Sequence, residues 1–125
     1  MERVQGIGGV FFKARDVAAL GAWYRDHLGV PLEEWGGCVF NWKANNPDGD
    51  AHTVWGPFAA DTEYFEPSKK DFMVNFRVND LAAIRQQLID QGCDVDARTE
   101  ESEHGKFGWV VDPEGNKVEL WEPPA

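Results

Sequence analysis

The chain carries one pattern twice. Asp16 and Asp80 lie 80 − 16 = 64 residues apart, and the same offset lays Val10 on Val74, Phe12 on Phe76, Lys13 on Arg77, Ala18-Ala19 on Ala82-Ala83 and Leu20 on Ile84. Ahead of the first aspartate, Val10, Phe12 and Ala14 share one face of an alternating run while Gly9, Phe11 and Lys13 share the other, the period of a strand. Phe72 to Asn79 repeats that strand. Each aspartate offers a side-chain oxygen to the unpaired amides of a helix start. The stripes that follow are Val17, Leu20, Tyr24 and Leu28 in the first copy, and Leu81, Ile84 and Leu88 in the second. Gly29 and Gly92 stand where a left-handed helix end is expected, and they differ by 92 − 29 = 63, so one helix is a residue shorter than strict register.

Strands complete each copy. Trp35 to Trp42 reads as one, Asn45 to Asp50 as a turn, and Ala51 to Trp55 as a return that Gly56-Pro57 ends. In the second copy a strand begins near Val95, the acidic run Glu100 to Glu103 reads as a loop, and the last hairpin turns on Asp112-Pro113-Glu114-Gly115. Pro113 presets φ for a turn, and Gly115 can take the left-handed conformation that closes it. In the final strand Val118 and Leu120 share one face, and Lys117, Glu119 and Trp121 the other. Each module is thus expected to run strand, helix, three strands.

The fold class is α+β, with two tandem βαβββ modules at about 6–56 and 71–122 in a single domain spanning 1–125. Their helices lie on one side of a curved sheet and leave the other side as a trough. The linker carries Phe58, Tyr64 and Phe65, too aromatic for a solvated connection, so it is expected to pack onto something. Extending the offset to the last strand of each module sets Trp55 opposite Glu119, since 119 − 55 = 64.

Charge narrows the partners. A net −10, from 12 Lys+Arg against 22 Asp+Glu, argues against nucleic acid and anionic membranes and for a small molecule or another protein. The start of the chain has no signal-peptide pattern and no apolar run approaches membrane length, which points to the cytoplasm. Cys38 and Cys93, without Cys-x-x-Cys spacing, read as free thiols.

From Gly6 to Pro123 the chain resembles the vicinal oxygen chelate superfamily, which includes glyoxalases, bleomycin-resistance proteins and extradiol dioxygenases. The residues that carry the resemblance are Asp16-Val17 with Trp23-Tyr24 and Leu28-Gly29, then Phe76 to Leu81, then Asp112 to Asn116 followed by Val118-Glu119-Leu120. The resemblance implies an open barrel around a ligand or metal, in a homodimer. Carried onto this chain, the superfamily's metal positions are Gly9, Trp55, Met73 and Glu119. Glycine has no side chain, tryptophan is a donor only, and a thioether suits soft metals, so Glu119 alone keeps the pattern. No metal is therefore expected; a divalent ion held partly by Glu119 is the alternative. His27, His52 and His104 read as surface residues.

Strand parity lines the trough with Phe11, Lys13, Thr53, Trp55, Met73, Asn75, Arg77, Lys117, Glu119 and Trp121. Rings there would grip a planar or carboxylate-bearing molecule whose anionic group meets Lys13, Arg77 and Asn75, unless they merely fill the core. Two functional expectations follow. One is a metal-free small-molecule-binding protein of bleomycin-resistance type, with Phe11, Lys13, Trp55, Met73, Asn75, Arg77 and Trp121 as its binding residues. The other is a glyoxalase-like lyase or isomerase with Glu119 as general base. A filled barrel without ligand is the structural alternative.

Overall fold

The computed structural model describes residues 1–41 and 52–124. Within them run β1 (Val4–Ala14), α1 (Val17–Leu28), β2 (Cys38–Asn41), β3 (His52–Ala59), β4 (Phe72–Val78), α2 (Leu81–Asp90), β5 (Asp94–Ser102), β6 (Gly105–Val111) and β7 (Lys117–Glu122). All seven strands form one curved, open sheet in the order β2-β3-β1-β4-β7-β6-β5. β1 pairs parallel with β3 and β4 parallel with β7, while β1 and β4 run antiparallel and join the two halves. The tandem-module expectation holds in this topology.

Local chemistry explains the helix ends. Asp16 Oδ1 accepts from the amide of Ala19 at 2.9 Å, and Asp80 Oδ1 from that of Ala83 at 3.0 Å. Gly29 takes φ +68° and Gly92 φ +78°, in the left-handed region where a glycine carries no Cβ penalty. In the hairpin, Asp112 Oδ1 accepts from the amides of Glu114 and Asn116, both at 2.9 Å, and Gly115 closes the turn at φ +81°.

Four expectations change. Among the described residues the first module has two strands after its helix, because Glu33 to Gly37 form a hydrogen-bonded turn with Gly36 at φ +99°, and strand begins only at Cys38. β3 does not stop at Gly56-Pro57 but continues to Ala59, with both residues buried. β2 pairs with β3 no further than Trp55, so beyond it β3 is a sheet edge on that side, where proline can be tolerated. The acidic Glu100 and Glu101 belong to β5, opposite Phe107 and Lys106, and their side chains are exposed on an edge strand. Trp42, Ala51 and the turn at Asn45 to Asp50 lie outside the described residues.

Two clusters hold the sheet. On the helix side Val78, Leu81, Ile84 and Leu120 are buried with Phe76 and Val118 against them. On the other side Phe11, Phe65, Met73 and Trp109 form the second cluster. Phe65, Met73 and Trp109 are essentially inaccessible, and each such burial contributes about 1.5–3 kcal/mol. Among the described residues no helix is long and apolar enough to cross a membrane. Cys38 is buried and Cys93 exposed, both as free thiols.

Candidate functional site

The trough is divided in two, with Glu119 at the boundary. The linker between β3 and β4 folds into one end, where Phe65 joins Phe11, Met73 and Trp109, and Phe58 stacks on Tyr64 with ring centroids 5.6 Å apart. That end is filled. The other end stays open as a cavity of ≈ 560 Å³ walled by Phe11, Val54, Phe107 and Trp121, with His52 and Trp35 at its side. The volume suits a small organic molecule.

β7 places Glu119 on the trough face between these halves, 2% exposed. Its Oε2 accepts from the Tyr64 hydroxyl at 2.6 Å and from Trp109 Nε1 at 2.8 Å, and its Oε1 from Asn75 Nδ2 at 2.7 Å. Three neutral donors take three of the roughly four lone-pair directions of a carboxylate. Glu119 is in none of the ion pairs among the described residues. Burial first, and then the charge of Glu119, push the Tyr64 phenol far above its ordinary value, so Tyr64 stays a donor.

Asn75, 3% exposed, has its orientation dictated by Glu119, because a reversed amide would set oxygen against oxygen. Its Oδ1 has no hydrogen-bond partner and lies under Gly8, where an added Cβ would collide with it. Gly8 is thus required by the Asn75-Glu119 pair.

The expected site residues distribute unevenly. Phe11, Asn75, Glu119 and Trp121 line the cavity together. Trp121 is anchored by donating from Nε1 to the His104 carbonyl at 2.8 Å. Met73 is on the trough face but lies in the filled half. Lys13 lies over the Phe65 ring at 5.9 Å and Arg77 pairs in register with Trp121; neither lines the cavity. Lys117 is 3% exposed, donates to the Tyr64 carbonyl, and lies over the Tyr64 and Trp109 rings. Burial, then the charge of Arg98, depress its ammonium below the ordinary lysine value. It borders a second, polar cavity with Arg98, Glu63 and Glu100 on the far side of Tyr64.

Trp55 is a correction. It packs on Phe12 and on Tyr24 of α1, at 5.4 and 4.8 Å between centroids, so it faces the helices and not the trough. Thr53 shares that parity and bonds the Ile7 carbonyl. The register sets Val10 beside Trp55 and Val74 beside Val118, so the offset in the last strands is 118 − 55 = 63 and the counterpart of Glu119 is Gly56. His52, expected at the surface, lines the cavity instead and packs on Trp121 at 4.6 Å.

Tyr64 and Trp109, two of the three residues that hold the carboxylate, were not among the expected site residues. Trp109 had a signal, since the hairpin turn pairs Val111 with Lys117 and therefore Trp109 directly with Glu119. Tyr64 had only its place in an unusually aromatic linker.

The positions that would hold a metal do not converge on one. Gly9 has no side chain and an added Cβ would press on the Phe11 ring, Met73 is packed among rings, and Glu119 is met by N–H and O–H groups whose hydrogens would oppose a cation at the same lone pairs. No group of three His, Cys, Asp or Glu side chains able to bind an ion occurs among the described residues.

Comparison with known proteins agrees with this architecture. A family model described as a glyoxalase-like domain matches residues 9–121. No curated protein matches the chain. Among solved structures, methylmalonyl-CoA epimerase from Mycobacterium tuberculosis superposes with a TM-score of 0.65 at 21% identity, over 98% of this chain and 90% of that one. A glyoxalase/bleomycin resistance protein/dioxygenase superfamily member from Vibrio splendidus 12B01 gives 0.59 at 15% identity, over 98% and 99%. Catechol 2,3-dioxygenase gives 0.57 at 20% identity, over 99% of this chain and 41% of that one.

Proposed function

The chain belongs to the glyoxalase-like domain family, and from that premise we propose that it is a cytoplasmic protein that binds a small planar organic molecule in the open half of its trough, without a tightly bound metal. The observation that carries this reading is the division of the trough: the linker fills one half, and the other remains a ≈ 560 Å³ cavity walled by rings with a buried carboxylate at its inner edge. A filled barrel would have no such space. Ring walls supply most of the contact area of a small-molecule site, and a few fixed polar groups orient the ligand.

Two measurements test it. Trp35 and Trp121 border the cavity, so a bound aromatic compound should quench tryptophan fluorescence in a saturable way. A broad panel of planar compounds that leaves the emission unchanged would sink the reading. Elemental analysis of protein purified without chelator and dialysed should find no stoichiometric transition metal. About one equivalent per chain, lost on Glu119→Ala, would overturn the metal-free reading.

A second reading is supported by one observation. Glu119 Oε1 accepts from Asn75 alone among the described residues, which leaves a lone pair that could take a proton from a substrate in the cavity. On that reading the protein is a lyase or isomerase with Glu119 as general base. Turnover of thiol adducts of 2-oxoaldehydes, lost in Glu119→Gln, would favour it over simple binding.

A further inference from the structure

We infer that the preferred ligand of this cavity is an organic cation, a planar molecule carrying an ammonium, iminium or comparable positive group, and not the carboxylate-bearing compound that strand parity alone suggests. The inference rests on the small-molecule reading above and adds the sign of the ligand's charge. It stands on three observations.

The first is the sign of the lining. Among the described residues the cavity is bordered by two carboxylates, Glu119 and Glu103, by no lysine or arginine, and by two imidazoles, His52 and His104, the second 3.7 Å from the Glu103 carboxylate. The cations that sequence parity brought to the trough are elsewhere: Lys13 is over Phe65, and Lys117 borders the polar cavity beyond Tyr64. The second is the state of Glu119. It is buried, its three partners are all neutral, and the nearest lysine along its own strand face, Lys117, makes no ion pair with it. Lys117, behind the Tyr64 and Trp109 rings, attracts this carboxylate only from a distance, and a buried carboxylate without a contacting counter-ion is costly. A cation entering the cavity would offset part of that cost, whereas an anion would add to it. The third is the wall itself. Phe11, Phe107, Trp35 and Trp121 border the same space, and aromatic faces carry the negative end of a quadrupole that attracts a desolvated cation. The net charge of −10 adds a long-range field of the same sign.

The test uses three probes of one size on the intact protein: N-methylquinolinium as the cation, quinoline above its own protonation range as the neutral ring, and naphthalene-2-carboxylate as the anion, each titrated by calorimetry at low and moderate salt. The cation should bind at least about tenfold more tightly than quinoline, in line with one or two cation–π contacts and a buried carboxylate that no cation contacts, and the anion should be weakest. Glu119→Gln should lower the cation's affinity by far more than that of quinoline, so that the preference for the cation is lost. Should that variant fail to fold, the wild-type order decides alone, and Glu103→Gln, at an exposed position, should reduce the cation's affinity more than quinoline's. Equal affinity of cation and neutral ring, or tightest binding of the anion, would overturn the charge assignment while leaving the cavity reading intact. Failure of all three to bind would overturn both.

Discussion

At the scale of single residues, Glu119 decides most of what this molecule can do. Its bond from Tyr64 at 2.6 Å is the shortest of the three it accepts, and hydrogen bonds to charged groups contribute about 1.5–3 kcal/mol. Tyr64→Phe is therefore expected to lower unfolding stability by about that amount, read as a fall in the denaturant midpoint without a change of slope. The same residue predicts a pH dependence. Because the folded state holds the Tyr64 proton above the pH where an unfolded phenol releases it, near about 10, its contribution is complete below that pH and declines as pH rises beyond it. Lys117 acts in the opposite sense. Its depressed ammonium means that the unfolded chain binds the proton more tightly, so the penalty of burying it fades as pH climbs toward the ordinary lysine value. Denaturant titrations across the alkaline range should show the decline in the wild type and a smaller one in Tyr64→Phe. An identical decline in both would remove Tyr64 as its source.

At the scale of elements, the final strand of the first module shows how much hangs on one residue of register. A slip of one turns every side chain of a strand to the other face. With Trp55 toward α1 and Val54 toward the cavity, the two positions make opposite predictions. Val54→Trp should fill the cavity and abolish ligand binding while the chain stays folded. Trp55→Ala should destabilise the packing against Tyr24 and Phe12 by about 3–5 kcal/mol and leave the cavity lining in place. If Trp55→Ala instead removed binding at unchanged stability, the observed register would be wrong. The linker makes a second case. Phe65, 0% exposed, plugs the filled half of the trough, so Phe65→Ala is expected to cost about 3–5 kcal/mol of stability, measured by chemical denaturation.

At the scale of the whole molecule, the helices cover the end of β4 but leave the apolar helix-side residues of β1 half exposed. α1 packs on β3, and α2 on β5 to β7, so the helix side of the joined pair β1 and β4 lies between them. Val4, Ile7, Val10 and Phe72 stand there, each 40–45% exposed, in register with Val78, Phe76, Val74 and Phe12 of the opposite strand. An apolar stripe along the central strands, together with the open edge at β5, is what a second copy would cover. We expect a homodimer by light scattering at micromolar concentration, converted to monomer by Val10→Asp. A monomeric wild type would assign that stripe no role in self-association.

Much of the architecture is legible in the chain because it rests on local rules. Capping aspartates, left-handed glycines, alternating apolar faces and an Asp-Pro-Glu-Gly turn each act over a few residues, and their recurrence in two copies identified the modules, both helices and the strand face that carries Glu119 without any long-range contact being known. What tertiary structure alone decided depends on residues far apart in sequence. Which half of the trough stays open is decided by where Tyr64 and Phe65 dock, and no local pattern encodes a linker's destination. Trp55 is turned to the helices because the repeat loses one residue before the last strand; the 63-residue spacing of Gly29 and Gly92 carries that loss, but only the strand register shows that it persists to the end of the module. Lys13 and Lys117, which parity placed in a cationic trough, are drawn to aromatic rings and, for the buried Lys117, a backbone carbonyl, since a partly or fully desolvated ammonium takes whichever π face or oxygen the packing brings within reach.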